Sequence, residues 1–260
     1  MKTSLDFRDA RVVVTAGASG IGLTFARRFA AAGASVAICD VDAAAVEAAR
    51  AEFPAAVTAT ADVTDEDQMT TFFDEVEQRW GGADIVIANA GTGGPAGVIE
   101  EQTLADWRAC LAVNLDGAFL TCRWAARVLK RGGGGSLILM ASSAGLHGYP
   151  HRSPYATSKW GVVGLMKTLA MELGPFGVRV NAICPGSVEG DRMDRVLANE
   201  AKATGLTEAD LRSRYVAGVS LRSWVSADDV AEAALFLASP AGSKISGQAF
   251  SVDGHTHSLA

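Results

Sequence analysis

The stretch Val12–Gly22 reads VVVTAGASGIG, in which an apolar run leads through a glycine-rich turn into a helical pattern. Glycines let a backbone approach a pyrophosphate closely, and the free N–H groups at a helix N-terminus favour an anion. Gly20 and Gly22 stand where such a helix would begin. The stretch therefore predicts a buried strand, a phosphate-binding turn and a helix, in that order.

A second apolar run supplies the acid that a dinucleotide site needs. The segment Ser35–Asp40, SVAICD, ends in an aspartate twenty positions after Gly20. At the end of the second strand of a nucleotide-binding unit, a carboxylate accepts hydrogen bonds from the adenosine ribose. Strand, glycine turn, helix, strand and terminal acid together predict that the chain binds a dinucleotide.

The same acid favours NAD over NADP. A carboxylate at Asp40 would repel a 2′-phosphate, and Asp42 adds a second negative charge. Ser19 and Val41 occupy the positions at which a basic residue would receive that phosphate. Like charges brought together in a partly desolvated site cost several kcal/mol, which corresponds to about a hundredfold discrimination or more.

Short apolar runs alternate with longer helical patterns along nearly the whole chain. Continuous apolar strands separated by helices indicate a parallel sheet covered on both faces. Right-handed crossovers make this a doubly wound, Rossmann-type α/β fold, which we expect to form one domain over residues 1–260. The predicted strands are Arg11–Thr15, Ser35–Cys39, Ala56–Ala61, Ile85–Asn89, Ser136–Ala141, Val178–Ile183 and Gln248–Val252. The predicted helices are Ile21–Ala32, Ala43–Phe53, Asp65–Trp80, Thr103–Lys130, Tyr155–Leu173 and Ala227–Ala238.

Residues 187–224 interrupt this alternation, because they are polar, charged and helix-prone and contain no strand candidate. A long insertion beyond the carboxyl end of a strand is typical of a segment that covers a substrate. We expect a small helical substrate lid here, with a surface helical hairpin as the alternative. Arg192 and Arg195 would either meet an anionic substrate or lie on a solvated helix face.

Composition argues against several other classes of protein. The net charge is -6 over 260 residues and no basic run occurs, so nucleic-acid binding is not expected. No apolar stretch reaches the roughly 18 residues of a membrane span, and the first residues lack signal-peptide features. The four cysteines are scattered, and only the spacing of His255 and His257 leaves a metal site open. The simplest expectation is a reduced, cytoplasmic enzyme without a protein-bound catalytic metal.

A tyrosine and a lysine stand four positions apart in SPYATSKWG, residues Ser153–Gly161. On a helix, Tyr155 and Lys159 would share one face, about 5–6 Å apart at Cβ. Taken alone, this spacing fits an ordinary helix face as well as a catalytic pair.

Together with the preceding motifs, this pair makes the chain resemble the short-chain dehydrogenase/reductase family over nearly its whole length. The family's cofactor turn, T-G-x-x-x-G-x-G, corresponds to TAGASGIG, and ADVTD, ANAG, VNLDG, MASSAG, YATSK and NAICPGSV follow in order. The resemblance implies NAD contacts from Gly17, Ser19, Gly20, Ile21, Gly22, Asp40, Asp62, Val63, Asn89, Ala90, Gly91, Tyr155, Lys159, Pro185, Gly186 and Val188.

Two residues depart from the family pattern. Ala16 replaces the first glycine of the turn, and Gly190 stands where members often have a threonine. Gly17 would let the turn shift, so we expect cofactor binding to survive. The loss of the threonine would remove one contact to the nicotinamide carboxamide unless Ser187 replaces it.

The resemblance also implies a reaction, the transfer of a hydride between NAD(H) and a secondary alcohol or ketone. Tyr155 would exchange the substrate's proton as general acid and base, and Lys159 would favour the phenolate and bond the nicotinamide ribose. Ser142 would donate to the substrate oxygen, although a local backbone bond is the alternative. Asn114 would hold a water that relays protons, or simply make a buried bond to the backbone.

Similar proteins place the helices Thr103–Lys130 and Tyr155–Leu173 against partner subunits, which implies a homotetramer. An apolar helix facing its own sheet is the alternative. Two other functions are considered. A non-catalytic dinucleotide sensor would be free to lose Tyr155 or Lys159, and a nucleotide-sugar epimerase or dehydratase commonly has a longer C-terminal domain.

Overall fold

A single parallel sheet forms the centre of the computed structural model, which describes residues 5–257. Its strands are β1 (Arg11–Thr15), β2 (Ser35–Asp40), β3 (Val57–Thr60), β4 (Ile85–Ala88), β5 (Gly135–Met140), β6 (Val178–Pro185) and β7 (Ala249–Val252). The strand order is β3-β2-β1-β4-β5-β6-β7, and every neighbouring pair is parallel. This confirms the predicted doubly wound fold. The chain changes direction across the sheet between β1 and β4, so their carboxyl ends border the crevice in which such sheets bind ligands.

Helices pack against both faces of the sheet. Within residues 5–257 the α-helices are α1 (Gly20–Ala31), α2 (Ala43–Glu52), α3 (Glu66–Trp80), α4 (Leu104–Leu111), α5 (Gly117–Arg131), α6 (Ser153–Leu173), α7 (Asp191–Thr204), α8 (Glu208–Ala217) and α9 (Ala227–Ala238). Consecutive strand residues point to opposite faces, so the valines of β1 divide between two cores. Val13 packs in one core with Phe72, whereas Val12 and Val14 pack in the other with Phe25. Burying each such side chain contributes about 1.5–3 kcal/mol.

The helix predicted over Thr103–Lys130 is present as an unbroken helical run from Leu104 to Arg131, but it is not a regular α-helix throughout. A π-helical turn spans Ala112–Asp116 between α4 and α5. Such a turn adds one residue to the helical repeat and frequently occurs at functional sites. Asn114 lies in it and is buried. Apolar periodicity gives no sign of a single added residue, so the π-turn could not be predicted from it.

The glycine-rich turn depends on an unusual conformation of Ala16. This residue has a φ of +48°, in the left-handed region that costs about 1–2 kcal/mol for a residue with a Cβ. The Gly17 N–H donates to the Cys39 carbonyl at 2.9 Å. The expectation that Gly17 would absorb the substitution was therefore wrong, because Ala16 itself adopts the strained conformation.

Residues 187–224 form a helical insertion, as predicted, and we use that name for them below. The insertion contains α7 and α8, and Leu197, Leu211 and Tyr215 are buried together between them. Val188 and Val225 pair in a parallel bridge at its ends. That the insertion covers a substrate stays a prediction.

Across residues 5–257, no helix combines the length and apolar character that crossing a bilayer would need. The same residues contain no group of three His, Cys, Asp or Glu side chains arranged to hold a metal ion. His255 Nδ1 instead lies 2.7 Å from Ser220 Oγ. All four cysteines are buried and unbridged, and burial raises the pKa of Cys39 to about 12.

The close approach of α1 to the turn gives a testable prediction. A Cβ at Gly22 would lie 2.0 Å from the Ala16 carbonyl oxygen and 2.6 Å from Asn89 Nδ2. Gly22→Ala should therefore lower the free energy of unfolding by about 3 kcal/mol or more, because the backbone of the turn has to move. Denaturant unfolding of the cofactor-free protein measures the loss.

Gly20→Ala is the matched control for this substitution. Gly20 has a φ of +51° and no heavy atom within 4 Å of an added Cβ, so only the backbone conformation is unfavourable. That cost is about 1–2 kcal/mol. Equal losses of stability in the two variants would contradict the steric argument.

Candidate active site

Asn89 joins the carboxyl ends of β1 and β4. Its Nδ2 donates to the carbonyl oxygens of Thr15 at 3.0 Å and Ala16 at 2.9 Å. Its backbone N–H donates to Thr15 Oγ1 at 3.1 Å. Ala90, also predicted to contact the cofactor, follows directly and is buried. Asn89 therefore fixes the glycine turn at the wall of the crevice.

The N-terminus of α1 is open to an anion. Ser19 is the N-cap residue, its side chain makes no capping hydrogen bond, and the first turn contains no acid. Gly20, Ile21 and Gly22 form that turn, in which backbone N–H groups lack intrahelical acceptors. These N–H groups and the positive end of the helix dipole suit a pyrophosphate, so the turn fits the predicted cofactor.

Asp40 ends β2 beside this turn and is buried. Its Oδ2 accepts a hydrogen bond from the Ala18 N–H at 3.2 Å, and its Oδ1 accepts one from the Asp42 N–H at 3.2 Å. The Asp42 carboxylate caps α2 by accepting from Ala44 and Ala45. The position at the strand end is the one from which a carboxylate binds an adenosine ribose.

The loop after β3 carries Asp62 and Val63 at the same edge of the sheet. Asp62 Oδ1 accepts hydrogen bonds from the backbone N–H and the hydroxyl of Thr64 at 2.9 and 2.8 Å. Val63 is buried, and a Cβ added at Gly117 would lie 2.8 Å from its Cγ2. The loop is thus fixed at the start of α5, and its contact with an adenine stays a prediction.

Lys159 is buried within the site, and its ammonium points to the end of β5. Its Nζ donates to the Met140 carbonyl at 2.8 Å and lies 5.8 Å from the centroid of the Tyr155 ring. The two residues therefore lie on one face of α6. Burial, and secondly the positive charge of Arg192, lower the pKa of Lys159 to about 7.

Ser142 lies two residues beyond Met140, and its side chain is buried. Its Oγ accepts a hydrogen bond from the Ala144 N–H at 3.1 Å, which is the local backbone bond considered above. Since the hydroxyl is the acceptor in this bond, its proton stays free to be donated to a substrate oxygen. The local bond therefore orients Ser142 without preventing the predicted role.

Asn114 connects the loop after β4 to α6. Its Oδ1 accepts from the Thr92 N–H at 2.7 Å, and its Nδ2 donates to the Thr92 carbonyl at 3.0 Å and to Ser158 Oγ at 2.9 Å. Ser158 in turn donates to the Tyr155 carbonyl at 2.7 Å. A Cβ at Gly91 would lie 3.1 Å from Asn114 Oδ1 and 3.2 Å from Lys159 Nζ. These are the buried backbone bonds of the alternative interpretation, and the water relay stays a prediction.

The end of β6 forms the opposite wall of the site. β6 ends at Pro185, and a Cβ at Gly186 would lie 2.9 Å from that of Asp253. Val188 follows as the second residue of the helical insertion. Gly190, the N-cap residue of α7, has a φ of +126°, a conformation that a threonine would rarely adopt. The backbone conformation here therefore favours glycine over threonine at residue 190.

The sequence patterns do not predict a buried polar cluster that lies beside Tyr155. Glu200 of α7 accepts hydrogen bonds from the hydroxyls of Tyr149 at 3.1 Å and Tyr215 at 2.8 Å, and those hydroxyls contact each other. Arg152 Nη1 lies 3.5 Å from Glu200 Oε1. Burial raises the pKa of both tyrosines. These residues are far apart in the sequence, so no spacing pattern predicts that they meet. The one sequence feature that could have indicated the cluster is Arg152, which directly precedes α6.

Known proteins with similar sequences and structures share this arrangement of elements. A family model described as enoyl-(acyl carrier protein) reductase matches residues 15–257. The D-beta-hydroxybutyrate dehydrogenase of Rhizobium meliloti (strain 1021) is 33% identical over 249 residues, which cover 93% of this chain and 96% of that protein. The sorbitol dehydrogenase of Cereibacter sphaeroides is 34% identical over 244 residues, which cover 93% of this chain and 95% of that protein.

A solved structure extends the likeness to the whole fold. The crystal structure of NAD⁺-bound xylitol dehydrogenase matches with a TM-score of 0.90 at 27% identity, covering 95% of this chain and 98% of that one. The sequence motifs, the sheet order and these matches agree. The chain is therefore an oxidoreductase that belongs to the short-chain dehydrogenase/reductase family.

Proposed function

We propose that the protein is an NAD(H)-dependent dehydrogenase that interconverts secondary alcohols and ketones. The observation that carries the proposal is the pairing of Tyr155 with the buried ammonium of Lys159 on one face of α6. The relatives described above are named for hydroxybutyrate, sorbitol and xylitol, all of which contain secondary alcohol groups. A non-catalytic dinucleotide sensor is the alternative, and it would have no use for this pair.

The proton and the hydride leave the alcohol by separate routes. NAD⁺, when bound, supplies the acceptor for the hydride that leaves the carbinol carbon. The Tyr155 oxygen takes the hydroxyl proton as the carbonyl forms, and it returns that proton in the reverse direction. Ser142 donates a hydrogen bond to the same substrate oxygen and stabilises the charge that develops there.

The side chain of Lys159 is buried on the face of α6 that carries Tyr155. Because the amine is buried, its charged form is disfavoured unless a negative charge lies nearby. The network from Asn114 through Ser158 to the Tyr155 carbonyl holds the helix in the required position.

Asp40 supports NAD as the preferred cofactor. Its carboxylate is fixed by two backbone N–H groups, so it cannot turn away from a 2′-phosphate without losing both bonds. The residues of the α1 N-terminus and of the loops after β3, β4 and β6 would hold the rest of the cofactor, as the sequence predicts.

Exposed apolar side chains on α5 and α6 support assembly into a homotetramer. Phe119, Trp160 and Met171 are 48%, 51% and 81% exposed. A partner subunit that covered these side chains would gain about 25 cal/mol for each Å² of apolar surface removed from water.

Loss of the phenol gives the first functional prediction. Tyr155→Phe should lower turnover by about 100- to 10,000-fold, the usual contribution of a positioned acid–base group, because packing is kept and the proton acceptor is lost. NADH formation is measured with a panel of 3-hydroxybutyrate, sorbitol and other secondary alcohols. Fluorescence titration should show unchanged NADH binding. Retained turnover would reject the assignment of Tyr155.

Cofactor choice gives the second functional prediction. The protein should bind NADH about a hundredfold more tightly than NADPH or better, and Asp40→Ser should reduce that ratio by removing the repulsive charge. Asp42→Ser should reduce the ratio by less, because serine keeps the α2 cap and the same charge is lost from a more exposed position. Tighter binding of NADPH to the unaltered protein would contradict the argument.

The pH dependence of stability gives the third functional prediction. Burial lowers the folded-state pKa of Lys159 to about 7, well below the 10.5 of a solvated lysine, so the unfolded chain binds more protons between these values. Below pH 7 the buried amine is protonated in the folded protein, and its burial lowers the free energy of unfolding by the full amount. As the pH rises above 7 the folded amine loses its proton and this loss of stability becomes smaller. Relative to Lys159→Met, the cofactor-free protein should gain about 1 kcal/mol in free energy of unfolding per pH unit from pH 7 to 9.

Denaturant titrations of both proteins at several pH values measure this difference. The contributions of Cys39, Cys122, Tyr149 and Tyr215, whose pKa shifts do not involve Lys159, are common to the two proteins and cancel. If the free energy of unfolding changed with pH in the same way for both proteins, burial of the charged Lys159 would not destabilise the folded protein, and the prediction would be wrong.

A further inference from the structure

A cavity of about 250 Å³ lies between the loop after β4 and the helical insertion. Three of the residues that line it are arginines, namely Arg152, Arg192 and Arg195, and none of the described residues that line it is an aspartate or a glutamate. The Arg152 guanidinium lies 5.6 Å from the centroid of the Tyr155 ring. The cavity therefore borders the reacting groups and carries positive charge.

Arg152 is fixed in this wall before any ligand arrives. Its side chain is 4% exposed, and its Nη2 donates to the Gly93 carbonyl at 2.7 Å. Within the described chain, its Nε is buried and has no hydrogen-bond partner. Glu200 neutralises Arg152 only in part, because the same carboxylate also accepts bonds from Tyr149 and Tyr215. A guanidinium held this firmly is preorganised to bind a planar anion.

Arg192 and Arg195 lie three residues apart on α7, so both extend from one face of that helix. In the region from residue 5 to 257, neither forms an ion pair; the neighbouring Asp194 pairs with Arg212 of α8 instead. Arg192 also lies near enough to Lys159 for its charge to contribute to the lowered pKa of that lysine. These side chains therefore line the cavity on the catalytic side, which argues against a simple solvated helix face.

We propose that this cavity binds a carboxylate of the substrate, so that the alcohol or ketone on which the enzyme acts is a hydroxy acid or a keto acid. The inference rests on the proposed function for the reacting carbon and extends it to the rest of the substrate. Because the Arg152 guanidinium lies only 5.6 Å from the centroid of the Tyr155 ring, one small molecule can contact both side chains. With one negative charge at Glu200 against three positive ones, the cavity has an excess of positive charge that a bound carboxylate reduces.

The test compares keto acids with the amides that match them in shape. Acetoacetate, levulinate and 4-oxocyclohexanecarboxylate are each paired with their carboxamide, and reduction by NADH gives kcat/KM for both members of a pair. For at least one pair, kcat/KM for the acid should exceed kcat/KM for its amide by about tenfold or more. Arg195→Gln and Arg192→Gln should each lower kcat/KM about tenfold for the acid and leave that for the amide unchanged. Arg152→Gln should lower kcat/KM for the acid by more.

Arg214→Gln is the matched control, because it removes the same charge from an exposed position on α8 that does not line the cavity. It should leave both the acid and the amide unchanged. Arg192 and Arg195 are exposed, so their variants keep the test valid even if Arg152→Gln fails to fold. An acid-to-amide ratio near one, or a ratio that all variants share, would overturn the carboxylate site.

Calorimetric binding separates this inference from the proposed function. Levulinate and levulinamide are titrated into the Tyr155→Phe protein in the presence of NADH, where binding is measured without turnover. If levulinate binds more tightly than levulinamide and this preference is lost in Arg195→Gln, the carboxylate site is supported. That conclusion would hold even if the unaltered enzyme reduced neither compound. Failure to reduce either compound would instead reject the proposed function. Dihydroxyacetone phosphate is included, and tighter binding of it than of every keto acid would overturn the carboxylate assignment in favour of a phosphate.

Discussion

The buried ammonium of Lys159 is the constraint on which the rest of the site depends. Removing a charge from water is unfavourable unless hydrogen bonds and opposite charge replace the solvent. Here a single carbonyl, that of Met140, is the described hydrogen-bond partner, and the positive charge of Arg192 adds repulsion. The protein alone thus leaves the site short of negative charge. An anionic substrate would correct this imbalance, which links the electrostatics of the buried lysine to the proposed choice of substrate.

The scaffold around Lys159 explains how a charged side chain can be held there. The π-helical turn brings Asn114 into contact with Thr92 on one side and Ser158 on the other, so one amide connects the loop after β4 to α6. Leaving any of these buried groups unpaired would cost about 1–3 kcal/mol. Asn114 is therefore required for the position of the catalytic helix, whatever part it has in proton transfer.

Much of this arrangement could be predicted from the sequence, because strands and glycine turns produce strong local patterns. The apolar runs predicted all seven strands of the described sheet, and each predicted end lies within two residues of the observed one. The order of the motifs indicated the family. Two local features were missed: the π-turn at Asn114, which periodicity does not report, and the strained Ala16, whose conformation is set by its neighbours. The cluster of Arg152 and Glu200 was missed because its members meet only in the folded chain.

That cluster determines how the helical insertion is placed against the catalytic helix. The apolar contacts within the insertion are few, centred on Leu197, Leu211 and Tyr215, and such contacts tolerate small shifts. Hydrogen bonds to a buried carboxylate do not, since they weaken steeply with angle and distance. Glu200 therefore fixes α7, and with it the arginines that face the cavity, relative to Tyr155. In the function proposed above, residues of the sheet and α6 would carry the hydride chemistry, and the arginines of α7 would act with Arg152 in substrate recognition. Glu200 contacts Arg152 beside α6 and lies on α7, so it connects the two parts.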